Sequence, residues 1–403
     1  MFDGKNEKLI NNANVLVEGN LIKQVSTTPI SAAGATVIDG KGRTLMPGLI
    51  DAHWHVMFNA ASIPVLMTAD MEYLTLLGAR SAEETLLRGF TTVRDVGGNP
   101  FGIKRGIDQG MIVGPRIYAS GPMISQTSGH SDNRPPTEPD HATYLEKNEM
   151  LAVADGVPAV LTTVRKNLRM GATQIKLSIG GGVSSNYDPL DVSEFTMDEL
   201  KAAVEAAKSW NTYVAVHANT DASIRMAIEA GALSIEHGFL LEEDTIKLMA
   251  KKGIWLSIQP LLNDEDAFKF TGENQRKWIQ VTDGTDKVYR LAKKYNVKIA
   301  FGTDLLFDPT LGQKQGKFLA KLKRWFSPYE ALKMATSTNA ELLAMCGPRN
   351  PYRAGPLGVV KEGAYADLLL VDGNPLQNLD LVADPGKNFV VIMKDGKIYK
   401  NTL

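Results

Sequence analysis

The chain has 403 residues, 44% of them hydrophobic, with 44 Lys and Arg against 45 Asp and Glu. That length supports a core larger than one ordinary domain needs, and a formal net charge of -1 points to no nucleic-acid or anionic-membrane partner. The single cysteine, Cys346, excludes an internal disulfide framework and a thiolate zinc site, and no apolar run approaches the ~20 residues of a membrane-spanning helix.

The opening Phe2-Asp3-Gly4 is a turn-like triplet with neither a strand nor a basic-then-apolar leader before it. A mature or trimmed form would begin this way; a cytoplasmic origin is slightly favoured and an exported one stays open. Asn14–Ser26 reads as a β-hairpin, with Val15-Leu16-Val17 and Ile22-Lys23-Gln24-Val25 flanking the turn Glu18-Gly19-Asn20. Ala35–Asp39 reads as another short strand, closed by Gly40-Lys41-Gly42. The last fifty residues look alike: Ala366–Val371 runs into Asp372-Gly373-Asn374-Pro375, and Phe389–Met393 pairs through Lys394-Asp395-Gly396 with Lys397-Ile398-Tyr399. Both ends are short-stranded and turn-rich, so residues 1–45 and 357–403 are expected to form one small β-sandwich domain. Residues 46–356 are expected to form the domain inserted between them.

The middle alternates strands with helices, the pattern of βα units with parallel strands. Leu49, Ile50 and Ala52 make a short buried first strand after Pro47-Gly48 and end on His53-Trp54-His55. Helical Ser81–Arg88 leads to a second strand at Thr91–Val96, and Arg116–Ile124 reads as the third. Helical Leu161–Met170 is stopped by Gly171 and followed by strand four, Gln174–Ile179, and by Gly180-Gly181-Gly182. Thr196 and Glu199 make a capping box for a helix to about Trp210. Tyr213–His217, Leu233–Glu236, Ile254–Ile258 and Lys298–Phe301 are strands five to eight, with helical Glu243–Lys251 and Asp286–Tyr295 before the last two. Ser327-Pro328-Tyr329-Glu330 starts a late helix with cap, first-turn proline and third-position acid. The fold expected is α/β: a (β/α)8 TIM barrel with a small β-sandwich domain built from both chain ends, its chemistry at the C-terminal strand ends.

On that map the polar residues converge. Residues two apart on a strand point to one side, so His53 and His55 aim two nitrogens at one place. His217 ends strand five, His237 follows strand six, and Asp304 follows Phe301-Gly302-Thr303 after strand eight. Four of the six histidines thus meet on one face, a set more informative than any lone strand-end histidine, which is commonly structural. Imidazoles and a carboxylate without thiolates suit a catalytic Zn²⁺, or Mn²⁺, Co²⁺ or Fe²⁺. Lys176 lies inside apolar strand four, where burial and nearby cations disfavour its charge. It either snorkels outward along its stem or, deprotonated and capped by CO₂, becomes an anionic carbamate.

These residues and their order resemble the metal-dependent amidohydrolase superfamily, in the branch of prolidase-like Xaa-Pro dipeptidases and imidazolonepropionase-like enzymes. The resemblance rests on Pro47–His55, Gly89–Asp95, Lys176 with its glycine run, Val216-His217-Ala218, Ile235-Glu236-His237-Gly238 and Gly302-Thr303-Asp304. It implies two divalent metal ions, zinc being the first expectation. By resemblance His53 and His55 would hold the more buried ion, His217 and His237 the second, and a CO₂-derived carbamate on Lys176 would bridge them. Asp304 would ligate the first ion and accept a proton from the bridging hydroxide.

For the substrate, His130 in Thr127–Asp132 is a candidate to polarise a carbonyl or hold a carboxylate, or else it orders its own loop. His141, in Glu138–His141, reads as exposed. Gly181 in its glycine run offers backbone donors and room for a ligand but lacks the helix-opening context of a phosphate loop. Asn219 stands where prolidase-like relatives commonly carry Tyr after His-Ala. Leu262–Thr285 reads as a lid after strand seven. Lys314, Lys317, Lys321, Lys323 and Arg324 read as a solvated helix face or subunit contact near the pocket, with cations able to attract a carboxylate. The function expected is hydrolysis of a C–N amide bond in a small molecule, a dipeptide or N-acyl amino acid. A cyclic-amide hydrolase and a non-catalytic scaffold on the same barrel are the alternatives. No nucleic-acid or membrane partner is expected, and a homo-oligomer is.

Overall fold

The computed structural model describes residues 1–138 and 141–403; Pro139 and Asp140, within the polar loop before His141, lie outside the described residues. Near the start, Asn14–Glu18 and Leu21–Ser26 pair antiparallel, as their β-rich runs about a Gly19 turn predict. Thr44–Pro47, Leu368–Val371, Phe389–Lys394 and Lys397–Asn401 make one antiparallel sheet in the order Lys397–Asn401, Phe389–Lys394, Leu368–Val371, Thr44–Pro47. Segments from both chain ends thus share a ladder, and Ile22, Val360, Ala366 and Leu368 bury together beside it. Ala35–Asp39 is not a strand. Val37 is 86% exposed, so the segment offers no buried face and no partner ladder, and alternation alone does not make a strand.

Eight parallel strands position the site: strand one Leu49–Trp54, two Phe90–Asp95, three Arg116–Ala119, four Ile175–Ser178, five Val214–Ala218, six Ser234–His237, seven Trp255–Ile258 and eight Lys298–Phe301. Strands one to three form one parallel sheet and strands four to eight another, which Met123–Ser125 and Leu151–Val153 extend beyond strand four. The sequence predicts a third strand running to Ile124. The chain instead breaks after Ala119, where Gly121 takes φ +75°, a left-handed turn that interrupts the extended run. Bonds cross between the two sheets on either side. Thr173 N donates to Ala119 O at 2.8 Å, and Asp304 N donates to His53 O at 2.9 Å. Asn339 Nδ2 donates to both Ile50 O and Phe301 O, each at 2.7 Å.

The helices follow their signals. Thr196/Glu199 and Ser327/Glu330 close as capping boxes, and Val157–Met170 ends on Gly171 in the left-handed conformation. Three helices begin earlier than predicted: Val157–Met170 by one turn, and Met71–Leu87 and Gly272–Lys294 by several. The last takes in half of the stretch read as a lid, leaving 259–271 as the connection after strand seven. The basic run folds onto its own acids: Lys314 and Lys317 pair with Asp266, Lys321 with Asp264, Lys323 with Asp380 and Arg324 with Asp286. Among the described residues, no helix is long and apolar enough to cross a membrane.

Candidate metal centre

Strand one carries His53, and His55 follows it. Both rings are buried, and their Nε2 atoms lie 3.3 and 3.2 Å from the same Asp304 Oδ1. The far nitrogen of each ring has its own acceptor. His53 Nδ1 faces Glu236 Oε2 at 2.9 Å and His55 Nδ1 faces Gly97 O at 3.2 Å. An Nδ1–H donated outward leaves the Nε2 lone pair pointing inward, as a metal ligand requires. His237 is held alike, its Nδ1 2.8 Å from Gln259 Oε1. His217 uses the other edge: Nε2 lies 3.2 Å from Gly181 O. The ring centroids of His53 and His237 are 4.9 Å apart, and those of His217 and His237 4.4 Å. Ligand atoms of His53, His237 and Asp304 all fall within 4.8 Å of one another. The donor set and its spacing fit a divalent ion, since buried imidazoles with fixed outer nitrogens beside a carboxylate are what such an ion takes.

Two of these residues sit in the left-handed backbone region, His237 at φ 79° and Asp304 at φ 52°. Such conformations cost of order 1–3 kcal/mol each and gather at functional sites. Electrostatics matches the geometry. Burial alone would raise the Asp304 carboxyl, but His53, His55 and His237 around it hold it well below the usual carboxylate range. Burial pushes His217 and His237 well below the ordinary imidazole value, so both are neutral. For His53 burial opposes protonation, yet Asp304 and Glu236 outweigh it and raise the ring.

Lys176 is 1% exposed, which removes the snorkelling alternative. Burial pushes its ammonium down to about 8, against the pull of Glu236 and Asp304. His130 reaches the same cavity, its ring stacked on His217 at 4.1 Å between centroids. Gly181 and Asn219 come together but are tied to each other: Asn219 Nδ2 donates to Gly181 O at 3.1 Å, the carbonyl that also faces His217. Asn219 Oδ1 stays buried without a partner among the described residues. His141 stands apart, half-exposed and paired with Glu138.

The sequence reading assigned no role to the row behind the ligands. Arg94 Nη2 reaches both oxygens of Glu236 at 2.8 and 2.7 Å, and Ser234 Oγ donates to the same carboxylate at 2.6 Å. Glu236 is thereby kept ionised while it orients His53; burial would raise it, but Arg94 holds it well below the usual range. Asp51 accepts from Thr303 Oγ1 at 2.6 Å and from Gln315 at 2.8 Å, fixing the turn that presents Asp304. The signal available was a charged residue inside an apolar strand, in register with His53 for Asp51 and adjacent to His237 for Glu236.

The cavity over this cluster measures about 540 Å³. Its floor is the histidine set with Lys176 and Asp304, and one wall is aromatic, from Phe239, Phe268, Phe270 and Trp278. Phe268 and Phe270 pack on Trp278 at 5.5 and 5.8 Å between centroids. Lys269 and Lys314 stand at the same cavity. So the predicted lid contributes a wall, although half of it is helix.

Comparison with known proteins places these features in a family. The model of the Amidohydrolase family matches residues 44–400. Ochratoxinase of Aspergillus niger is 33% identical over 373 residues, covering 88% of this chain and 75% of the enzyme. Imidazolonepropionase of Geobacillus kaustophilus is 24% identical, over 91% of this chain and 85% of its own. A crystal structure of a prolidase complexed with N-methylphosphonate-L-proline superposes with a TM-score of 0.90 at 33% identity, covering 100% of this chain and 99% of that one.

Proposed function

The chain belongs to the amidohydrolase family, and on that premise we propose that it hydrolyses the C–N amide bond of a dipeptide or N-acyl amino acid. The observation that carries the reading is the convergence of His53 Nε2 and His55 Nε2 on one oxygen of Asp304, above a cavity with an aromatic wall. The parallel strands are taken as one closed (β/α)8 barrel of residues 46–356. Residues 1–45 and 357–403 form the small β-sandwich.

His53, His55 and Asp304 would hold one divalent ion, His217 and His237 a second, with Lys176 as a carbamate between them; zinc suits this imidazole-rich set. Bound divalent metals polarise a carbonyl oxygen and lower the pKa of water. Asp304, anionic and beside the ligands, takes a proton from the attacking water as its oxygen bonds to the carbonyl carbon. It then returns that proton to the nitrogen as the C–N bond breaks. His130, at the cavity edge, meets the substrate carbonyl or carboxylate oxygen. Phe239, Phe268, Phe270 and Trp278 accept an apolar acyl or side-chain group, and Lys269 supplies positive charge for a free carboxylate. The similar prolidase, whose crystal structure is complexed with N-methylphosphonate-L-proline, supports this choice.

The test is a screen of Xaa-Pro and other dipeptides, N-acyl amino acids and cyclic amides with protein loaded in zinc and bicarbonate, alongside elemental analysis. Turnover of a carboxylate-bearing amide with metal at the chain is expected. Turnover of cyclic amides alone would replace the substrate assignment, and a chain that takes up no metal would overturn the hydrolase reading in favour of a scaffold.

A further inference from the structure

Outside the ligand set, one buried ammonium has partners that metal chemistry does not call for. Lys277 lies near the start of helix Gly272–Lys294 and is 4% exposed. Its Nζ donates to the carbonyls of Gly182 at 3.0 Å, Ser185 at 3.0 Å and Asp188 at 2.7 Å. An ammonium removed from water is costly unless all three donors are used, and here all three close on a single turn, 182–188.

That turn grips His130. Ser185 Oγ and Asp188 Oδ2 both face His130 Nδ1, at 2.7 and 3.1 Å. Gly182 N in turn donates to Asp188 Oδ2 at 2.7 Å. Gly182 approaches the ring so closely that a Cβ there would lie 2.0 Å from His130 Cε1. The ring also stacks on His217, with 15° between the planes. Asp188 is buried; burial would raise its carboxyl, but the bond from His130 keeps it below its ordinary value and therefore an acceptor. An anionic acceptor holds a proton on Nδ1 and leaves the Nε2 edge free, where a second proton on the ring would let it donate to a substrate oxygen. Trp278, the next residue after Lys277, packs into the aromatic wall. One turn of helix therefore ties the wall of the cavity to the orientation of His130.

We propose that Asp188 and Lys277 are positioning residues for His130: Lys277 anchors the 182–188 turn, and the turn's carboxylate holds His130 Nδ1–H so that the opposite edge of the ring, through an Nε2–H, donates to the substrate oxygen. The assignment rests on the hydrolase reading only in supplying that substrate. It differs from a purely structural role in requiring that both residues act through the His130 ring.

The experiment uses the full metal-loaded chain with Asp188→Asn, Lys277→Met, His130→Ala and the two doubles carrying His130→Ala. In imidazole-labelled protein, an Nδ1–H resonance that disappears in His130→Ala is expected in the wild type, and its loss or transfer to Nε2 in Asp188→Asn. A wild-type ring protonated only at Nε2 would overturn the proposal. With a substrate from the screen, each single variant should lower kcat/KM about 10–100-fold, the usual effect of removing a residue that orients a site histidine. In the His130→Ala background the same substitutions should cost less than twofold further; a full further loss would assign them to folding alone and overturn the proposal. If Lys277→Met does not fold, Asp188→Asn, nearly isosteric, carries the test. If no substrate is found the functional reading fails, and the resonance still decides the positioning roles.

Discussion

Glu236→Gln is the most informative single substitution behind the candidate metal ligands. Glu236 and Arg94 are both fully buried, and Arg94 Nη2 lies 2.8 and 2.7 Å from the two carboxylate oxygens. The amide keeps the shape but loses the charge, and its NH₂ must face either the guanidinium or His53 Nδ1–H, donor against donor. Removing one partner of a buried ion pair costs about 3–5 kcal/mol, because the remaining charge is left uncompensated. Metal affinity should fall about 10–100-fold as His53 loses the carboxylate that orients it. Urea unfolding of the metal-free protein measures the first effect, and competition with a chromophoric chelator the second. Arg94→Met combined with Glu236→Gln should recover part of the stability, since no lone charge remains, but none of the metal affinity. A Glu236→Gln protein with wild-type metal affinity and less than about 1 kcal/mol of lost stability would refute the carboxylate–histidine assignment.

Asp304→Asn should abolish turnover while most of the metal stays bound, and an unchanged rate with the variant would remove Asp304 from proton transfer. Trp278→Ala empties part of the aromatic wall; it should raise KM for apolar substrates more than it lowers kcat, at a cost of about 3–5 kcal/mol in stability read by thermal or urea unfolding. Burial pushes the Glu194 carboxyl up to about 8, against the bonds it accepts from His130 N and Ser125. A carboxyl raised on folding contributes stability that is complete below its unfolded pKa and lost as pH rises through its folded one. Glu194→Gln should therefore gain stability relative to wild type between pH 5 and about 8, and a pH-independent difference in urea unfolding would contradict this. Loading with ¹³C-bicarbonate and zinc should give a carbamate resonance that is absent in Lys176→Met; no such signal in fully metallated wild type would exclude the carbamate.

The strand–helix alternation and the candidate ligands are legible because each stands at a sharp boundary, an apolar run ending in His-x-His, Val-His-Ala or Gly-Thr-Asp. Capping boxes at Thr196 and Ser327 were equally legible, being local. Helix Gly272–Lys294 was half missed, although Trp278, Val281, Thr285, Val288 and Ala292 are all buried along it at helical spacing. Its polar residues and Gly284 masked the stripe. Ala35–Asp39 failed for the opposite reason, since a strand needs a neighbour and none was visible in its own residues. The roles of Arg94, Glu236 and Lys277 depend on contacts across 142 residues in the first pair and 89 to 95 in the last. No local pattern carries such information.

Charge sets the terms on which this site could take metal. Glu236 is committed to Arg94 and His53. Asp51 is spent on the Thr303 turn, and burial pushes Asp95 up to about 7, where it bonds the Val56 and Gly97 amides. Asp304 is left as the one uncommitted carboxylate among the described ligand candidates, beside three imidazoles lowered by burial and one raised by its company. Two divalent ions with a lysine ammonium at their side would leave a large positive excess in a medium where charge is poorly screened. Converting Lys176 to a carbamate replaces a cation with an anion at that place, and the ammonium is already disfavoured by burial. In the metal-free protein the opposite holds, since an ammonium near Glu236 and Asp304 balances them and a second anion would not. Metal and CO₂ should therefore load together, each weak without the other, and a site built this way releases both when either is withdrawn.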